Sequence, residues 1–441
     1  MEVCFLDIYP KKNYRISKDQ NGGFGTANNY GENFILKILS AYIKKNIDYP
    51  PLFLVQSMAE LKKNQFSVSY SRSLDIPNKD LYVIASSIVS HESEINVIKS
   101  LIARNKKVFV IGPFATSKPH LYSSTGAKVI SGESEFFFKD FQIEDLDKFK
   151  NYDDIILFKN IYNLDDLSYP AWDIILKYSK PVMKLLGRGL TIPIFSSRGC
   201  PYSCSYYCTY PLQQGNKLRL RKTDNVVNEM LYWNKNYNVN NFIFRDPVFS
   251  LDKRHTLELL NKIIAANKKF RICVETHLKN LDQETVEIFK RAGIKIVYVG
   301  IESGDKEVLF DSKRTTIEFD SQIEKVKLLE SKGIRVKSMY ILAQPSDNET
   351  TTKKTINYSK KVPSTYAQFS IFTPYPGTPV FEKFKDKIIV DKYEEFDQWQ
   401  LVFRHLCFSK LRVRELLNFA YLSFYLRPSW IFAYFKKILF R

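Results

Sequence analysis

At 441 residues, 44% hydrophobic and 26% charged, the chain has the make-up of a soluble globular protein and the length of two or three domains. Lys and Arg outnumber Asp and Glu by 66 to 47, a net charge of +19. That charge is spread along the chain without long runs, and no nucleic-acid motif accompanies it, so a basic solvated surface is expected and a nucleic-acid partner is not. Met1–Asp7 lacks the features of a leader peptide, no long apolar window suggests a spanning helix, and cysteines are few. The expectation is a cytoplasmic protein.

Residues 1–140 alternate between strand-like and helix-like segments. Val3–Ile8 is a short apolar run, followed by a glycine-rich loop at Asn21–Gly25. Helical patterns lie near 32–45, 52–63 and 91–104; apolar runs recur at Leu81–Ala85, Val108–Gly112 and Val129–Glu133. Continuous apolar strands between amphipathic helices predict a parallel sheet covered on both faces, a doubly wound Rossmann-like α/β domain with its ligand site at the strands' carboxyl ends. Residues 141–189 read as a connector.

A second alternation begins at residue 190. Its strands are expected at Thr191–Phe195, Asn241–Arg245, Arg271–Glu275, Lys295–Gly300, Arg335–Leu342 and Tyr366–Phe372. Helices are expected at 224–235, 253–266, 282–291, 320–332 and 349–361. Six βα units make a partial (β/α)6 TIM-like barrel over residues 190–384, with its chemistry at the strand carboxyl ends. Residues 385–441 form a small helical, aromatic and basic C-terminal region, split into two helices by Pro428. Those helices either lie in a membrane interface or pack on the barrel.

The loop after the first barrel strand carries Cys200, Cys204 and Cys208. Three thiolates without a fourth suit a [4Fe–4S] cluster with one iron left open for a ligand. A zinc site is the alternative, but the paired Cys-x2-Cys spacings or added histidines that zinc favours are absent. Cys273 and Cys407 read as small buried apolar residues, and His91 and His120 as packing or solvent histidines.

Arg198-Gly199-Cys200-Pro201-Tyr202-Ser203-Cys204 is joined by three later signatures: Phe244–Phe249, Ala292-Gly293 with Gly300–Gly304, and Thr373–Thr378. Together they resemble the radical SAM enzymes, specifically the subgroup with an N-terminal cobalamin-binding domain, over nearly the whole chain. One departure is the Cys-x3-Cys-x3-Cys spacing, with Tyr206-Tyr207 where one aromatic is usual. The resemblance implies a [4Fe–4S] cluster on Cys200, Cys204 and Cys208, and S-adenosylmethionine chelated to its open iron and cleaved to a 5′-deoxyadenosyl radical. It implies Tyr207 near the adenine, Asp246, Glu302 and Ser303 around the methionine amino group or ribose, and Arg335 on the methionine carboxylate. It also implies cobalamin against Ser86, Ser87, Gly112, Gly132 and Glu133, without a histidine ligand because no Asp-x-His-x-x-Gly motif is present. The implied partners are a small-molecule or lipid-linked substrate and an electron donor such as flavodoxin or ferredoxin, with membrane contact through the C-terminus. The implied reaction is methyl transfer to an unactivated carbon of a lipid, glycan or natural-product intermediate. Radical cyclisation or rearrangement, or a non-catalytic scaffold, are the alternatives.

Overall fold

The computed structural model describes residues 1–10, 18–27, 30, 31, 33–158 and 163–439. The N-terminal unit is a six-stranded parallel sheet. Its strands are β1 (Glu2–Leu6), β2 (Ser67–Ser71), β3 (Leu81–Ala85), β4 (Lys107–Ile111), β5 (Lys128–Ser131) and β6 (Ile155–Leu157), in the order β2-β1-β3-β4-β5-β6. Every residue of β3 is buried, as a strand covered on both faces requires. The order reverses between β1 and β3, which is where such sheets open a crevice. Helices α2 (Leu52–Lys63) and α3 (His91–Ala103) pack on the sheet, and α1 (Phe34–Asn46) precedes them.

Two strands lie outside the expected set. Strand β2 is a half-exposed edge strand reading Ser-Val-Ser-Tyr-Ser, so it has no apolar run to betray it. Strand β6 falls inside the stretch read as a connector, and its three residues lie at the opposite edge.

The second unit is a six-stranded parallel sheet in strictly sequential order. Its strands are β7 (Thr191–Ile194), β8 (Asn241–Phe244), β9 (Arg271–Thr276), β10 (Ile294–Glu302), β11 (Arg335–Leu342) and β12 (Tyr366–Ile371). Helices α4 (Thr223–Tyr237), α5 (Lys253–Ala265), α6 (Gln283–Ala292), α7 (Phe319–Ser331) and α8 (Glu349–Lys361) alternate with them. Asp252, Asp282 and Asn348 start three of these helices by accepting first-turn N–H groups. The sheet is open: β7 and β12 are edges. The amino end is stoppered by Met183 and Leu186, packed on Ile243, Cys273 and Ile296.

Helices α9 (Lys410–Tyr425) and α10 (Pro428–Leu439) follow, with Pro428 at the break. The Tyr421 hydroxyl accepts from the Phe369 amide at 3.1 Å and donates to its carbonyl at 2.8 Å. Tyr425 does the same at Ala367, at 3.0 and 2.7 Å. Two phenols thus satisfy the outer edge of β12, so α9 packs on the barrel. Cys407, expected to be buried, is exposed. Among the described residues no helix is long and apolar enough to cross a membrane.

Candidate active site

Strand register stacks the inward side chains of the barrel in layers. Cys273, Ile296 and Arg335 form the floor. Glu275, Tyr298 and Lys337 form the next layer, and Gly300, Met339 and Gln368 the one above. At the top of β10 the register shifts between Gly300 and Glu302, and Glu302 takes a φ of +69°, a strained conformation for a residue with a side chain. The shift turns the Glu302 carboxylate into the barrel mouth, 3.7 Å from the Arg314 guanidinium. A Cβ on Gly300 would lie 2.3 Å from the Glu302 Oε1, so glycine there makes room for that carboxylate.

The cysteine loop leaves β7 at the same end. Cys200 and Cys204 are buried and Cys208 is half-buried. The Cys208 amide donates to the Cys204 carbonyl at 2.9 Å. The extra residue of the spacing therefore completes one helical turn, and residues four apart share a face. Burial pushes all three thiols up, while the Arg314 charge pulls Cys204 and Cys200 back down. Arg314 Nη1 lies 3.7 Å from the Cys204 sulfur, and its Nη2 donates to the Gly300 carbonyl at 2.7 Å. Among the described residues no three His, Cys, Asp or Glu side chains converge tightly enough for a single metal ion. The corners of an iron–sulfur cubane hold thiolates farther apart than the ligands of one ion, and the donor set here is three thiols with no imidazole or carboxylate. That chemistry fits the cluster better than zinc.

The loop overhangs a cavity that is open at its mouth and lined from Tyr207 and Glu302 above to Cys273 and Lys337 below. Tyr207, Glu302 and Phe372 line its upper part, with the Tyr207 and Phe372 rings 6.2 Å apart. Three residues expected here lie elsewhere. Asp246 is fully buried and accepts from the Ser196 amide at 2.8 Å, the Ser196 hydroxyl at 2.5 Å and the Ser197 hydroxyl at 2.7 Å. It anchors the root of the cysteine loop and faces away from the cavity. Ser303 bonds Thr355 Oγ1 at 3.0 Å and accepts from the Asp305 amide at 3.1 Å, holding a turn. Arg335 starts its strand, so it sits at the floor, donating to the Leu185 carbonyl at 2.6 Å and the Tyr366 hydroxyl at 3.1 Å. The cation at the mouth is Arg314, on a loop 110 residues from Cys204.

The predicted corrin contacts line the carboxyl edge of the N-terminal sheet, facing the cysteine loop, but each is engaged by the chain itself. Ser86 accepts from the Ala115 amide at 3.0 Å, and the Ser87 and Ser90 hydroxyls are 2.7 Å apart. Glu133 pairs with Arg198 at 2.6 Å and Arg219 at 2.8 Å, and Glu135 also meets Arg198. A Cβ on Gly112 would touch the Phe53 ring, and one on Gly132 the Phe158 carbonyl. The glycine-rich loop fills the crevice between the two units: Gly22 backs onto Thr209 and Tyr210, Gly23 onto Pro113 and Gly25 onto Ser87. Its neighbour Lys18 is buried at the switch point, 3.0 Å from Glu94, 3.3 Å from Asp7 and 3.0 Å from the Ala85 carbonyl. The remaining slot, between Gly22, Phe53, Glu133, Arg198 and Arg245, holds about 480 Å³. Backbone approach at strand ends suits a flat ring, but the space for a corrin exists only with residues 18–25 displaced. His91 packs as expected, its Nδ1 2.9 Å from Glu394.

Two parallel α/β units joined edge to edge, with a three-cysteine loop over the mouth of the second, define an iron–sulfur enzyme of the open-barrel class. Residues 194–358 match the Radical SAM superfamily; the barrel is a radical SAM domain, which implies a [4Fe–4S] cluster and S-adenosylmethionine as its cofactors. The chain is 27% identical over 348 residues to an uncharacterized methyltransferase of Pyrococcus horikoshii, covering 74% of each. It is 25% identical over 214 residues to the bacteriochlorophyllide d C-12(1)-methyltransferase of Chlorobaculum tepidum, covering 48% of this chain and 46% of that one. Among solved structures it is similar to the radical S-adenosylmethionine methyltransferase TsrM of Kitasatospora setae, with a TM-score of 0.62 and 16% identity over 88% of this chain and 76% of that one. It is also similar to the cobalamin-dependent enzyme OxsB, with a TM-score of 0.59 and 13% identity over 95% of this chain and 56% of that one. The chain therefore has the fold of cobalamin-dependent radical SAM enzymes.

Proposed function

We propose that this enzyme transfers a methyl group to an unactivated carbon of a small substrate held in the barrel cavity. The observation that carries the reading is the convergence of the cysteine loop, Glu302 and Arg314 on one cavity mouth that faces a cobalamin-type α/β unit. When bound, the cluster and S-adenosylmethionine supply a 5′-deoxyadenosyl radical and cobalamin supplies the methyl group. The chain's own residues bind and orient. Glu302 is the acceptor for the methionine amino group or ribose, Tyr207 and Phe372 flank the adenine, and Arg314 holds Glu302 and the Cys204 sulfur in place. Tyr210, Asn21 and Tyr375 close the cavity toward the N-terminal unit and limit water access. Ser86, Ser87, Gly112 and Gly132 would hold cobalamin at the strand ends once residues 18–25 move aside. That loop favours one second reading, radical cyclisation or rearrangement without methyl transfer.

Electrons come from a flavodoxin- or ferredoxin-type donor, attracted by the basic surface. Exposed Phe34, Ile38 and Phe432, on a chain with a net charge of +19, support contact with an anionic membrane. The deciding experiment is anaerobic reconstitution with iron, sulfide and hydroxocobalamin, followed by metal analysis. About four irons and one cobalt per chain, with S-adenosylhomocysteine formed beside 5′-deoxyadenosine, support methyl transfer. Iron without cobalt selects the second reading, and neither metal overturns both.

A further inference from the structure

The cavity extends well below the mouth, and its charged groups can be accounted for one by one. Arg245 Nε is 2.6 Å from Asp19. Arg314 serves Glu302, the Gly300 carbonyl and Cys204. Arg335 is held by the Leu185 carbonyl and Tyr366. Glu275 lies in the field of Arg245 and within reach of the Tyr210 hydroxyl. Lys337 is different: among the described residues its ammonium has no hydrogen-bond or ion-pair partner and rests 4.7 Å over the Tyr298 ring. It projects into the cavity from the layer just above the floor.

A half-buried ammonium with no hydrogen-bonded counter-charge is costly, and a cation–π contact with the more distant pull of Glu275 returns only part of that cost. Burial accordingly lowers Lys337 to about 8, against the pull of Cys273 and Glu275. Lys337 stands near the foot of β11, roughly 16 Å below the strand's carboxyl end at about 3.3 Å per residue, far from the cysteine loop. Met339 and Ile341 line the wall between.

We propose that Lys337 is a substrate-anchoring residue, and that the substrate is a small molecule bearing an anionic group, a carboxylate or a phosphate, which enters that end first and pairs with the Lys337 ammonium. The proposal rests on the cavity being the substrate chamber. It narrows the substrate class: a neutral lipid or an uncharged glycan brings no partner for this lysine.

The test is binding to the cluster-loaded full-length protein, by calorimetry, with inorganic phosphate, benzoate and neutral benzamide as probes. Wild type binds at least one of the two anions and not benzamide. Lys337→Met weakens that binding by about tenfold or more, the size of one charge-assisted hydrogen bond, and Lys337→Arg restores it. Phosphate alone assigns a phosphoryl substrate, and benzoate alone a carboxylate. Iron content reports that each variant is folded and loaded. Equal anion binding in wild type and Lys337→Met, or benzamide binding as tightly as benzoate, overturns the proposal. Absence of 5′-deoxyadenosine from the wild-type protein with dithionite and S-adenosylmethionine would instead defeat the radical-enzyme reading and leave the anion result standing.

Discussion

The two sheets present their carboxyl ends to each other, but they treat buried charge differently. At the N-terminal edge every inward cation is answered: Lys18 by Glu94 and Asp7, and Arg198 by Glu133 and Glu135. Among the described residues the barrel interior leaves Lys337 without a hydrogen-bond or ion-pair partner and turns a strained Glu302 to the cavity mouth, 3.7 Å from Arg314. Closed ion clusters hold structure, whereas unanswered charge beside a cavity awaits a ligand. Strand-end position alone does not separate the two, because both edges carry serines, glycines and carboxylates.

The sharpest way to break that contrast is at the cysteines. Cys204→Ala should drop bound iron from about four per chain to near none and abolish 5′-deoxyadenosine formation, measured anaerobically with dithionite. Retention of the cluster would show that the helical turn between Cys204 and Cys208 is not its platform. Next comes stability. Lys18→Met strands two buried carboxylates and should cost about 3–5 kcal/mol in denaturant unfolding, although Arg72, 3.2 Å from Asp7, softens the loss. Lys337→Met should cost little, since its ammonium makes no hydrogen bond or ion pair among the described residues and Arg245 still faces Glu275. Equal costs would erase the distinction between the two edges.

A smaller effect follows at the barrel rim. Asp347 is buried, accepts from the Gln344 amide at 2.9 Å and the Thr351 hydroxyl at 2.6 Å, and among the described residues no cation pairs with it. Burial raises its pKa from 3.8 to about 6. Between those values the native state binds more proton than the unfolded chain, so this group lowers stability as pH rises from about 4 to 6. The full penalty, at most about 3 kcal/mol, persists above that range. Asp347→Asn should flatten the slope in urea unfolding series across pH; an unchanged slope would place its origin elsewhere.

Much of this was legible in the chain. The cysteine loop and all six barrel strands follow from spacing and apolar runs, whereas Glu302 is singled out by the family resemblance alone. What escaped has physical reasons. Asp246 lies past the end of β8, where strand alternation says nothing, and the Ser196 and Ser197 groups that bind it come from about 50 residues away. Arg335 is the first residue of its strand, and a first residue cannot reach the carboxyl end. Strands β2 and β6 are edges, which need no continuous apolar run. Arg314 has no local signal at all: it lies on an irregular loop beyond β10, brought to Cys204 only by the fold. The filled crevice depends on Gly22 and Gly23 meeting Thr209 and Pro113, contacts that no periodicity announces.

Arg314 gives the finest discrimination. Its fork grips the Gly300 carbonyl and reaches both Glu302 and the Cys204 sulfur. On the proposed function it positions a cluster thiolate and a cofactor-binding carboxylate together, and losses of such supporting groups typically run about 10–100-fold. Arg314→Gln should keep the fold, lower 5′-deoxyadenosine formation within that range and raise the KM for S-adenosylmethionine through the freed Glu302. It should also shift the cluster's electron paramagnetic resonance signal, because the charge beside Cys204 is gone. Arg314→Lys restores the charge but not the fork, so it should recover the spectral signature more fully than the KM. If both variants match wild type in KM and spectrum, Arg314 is only a strut of the loop, and the mouth of the barrel is held by something other than this one guanidinium.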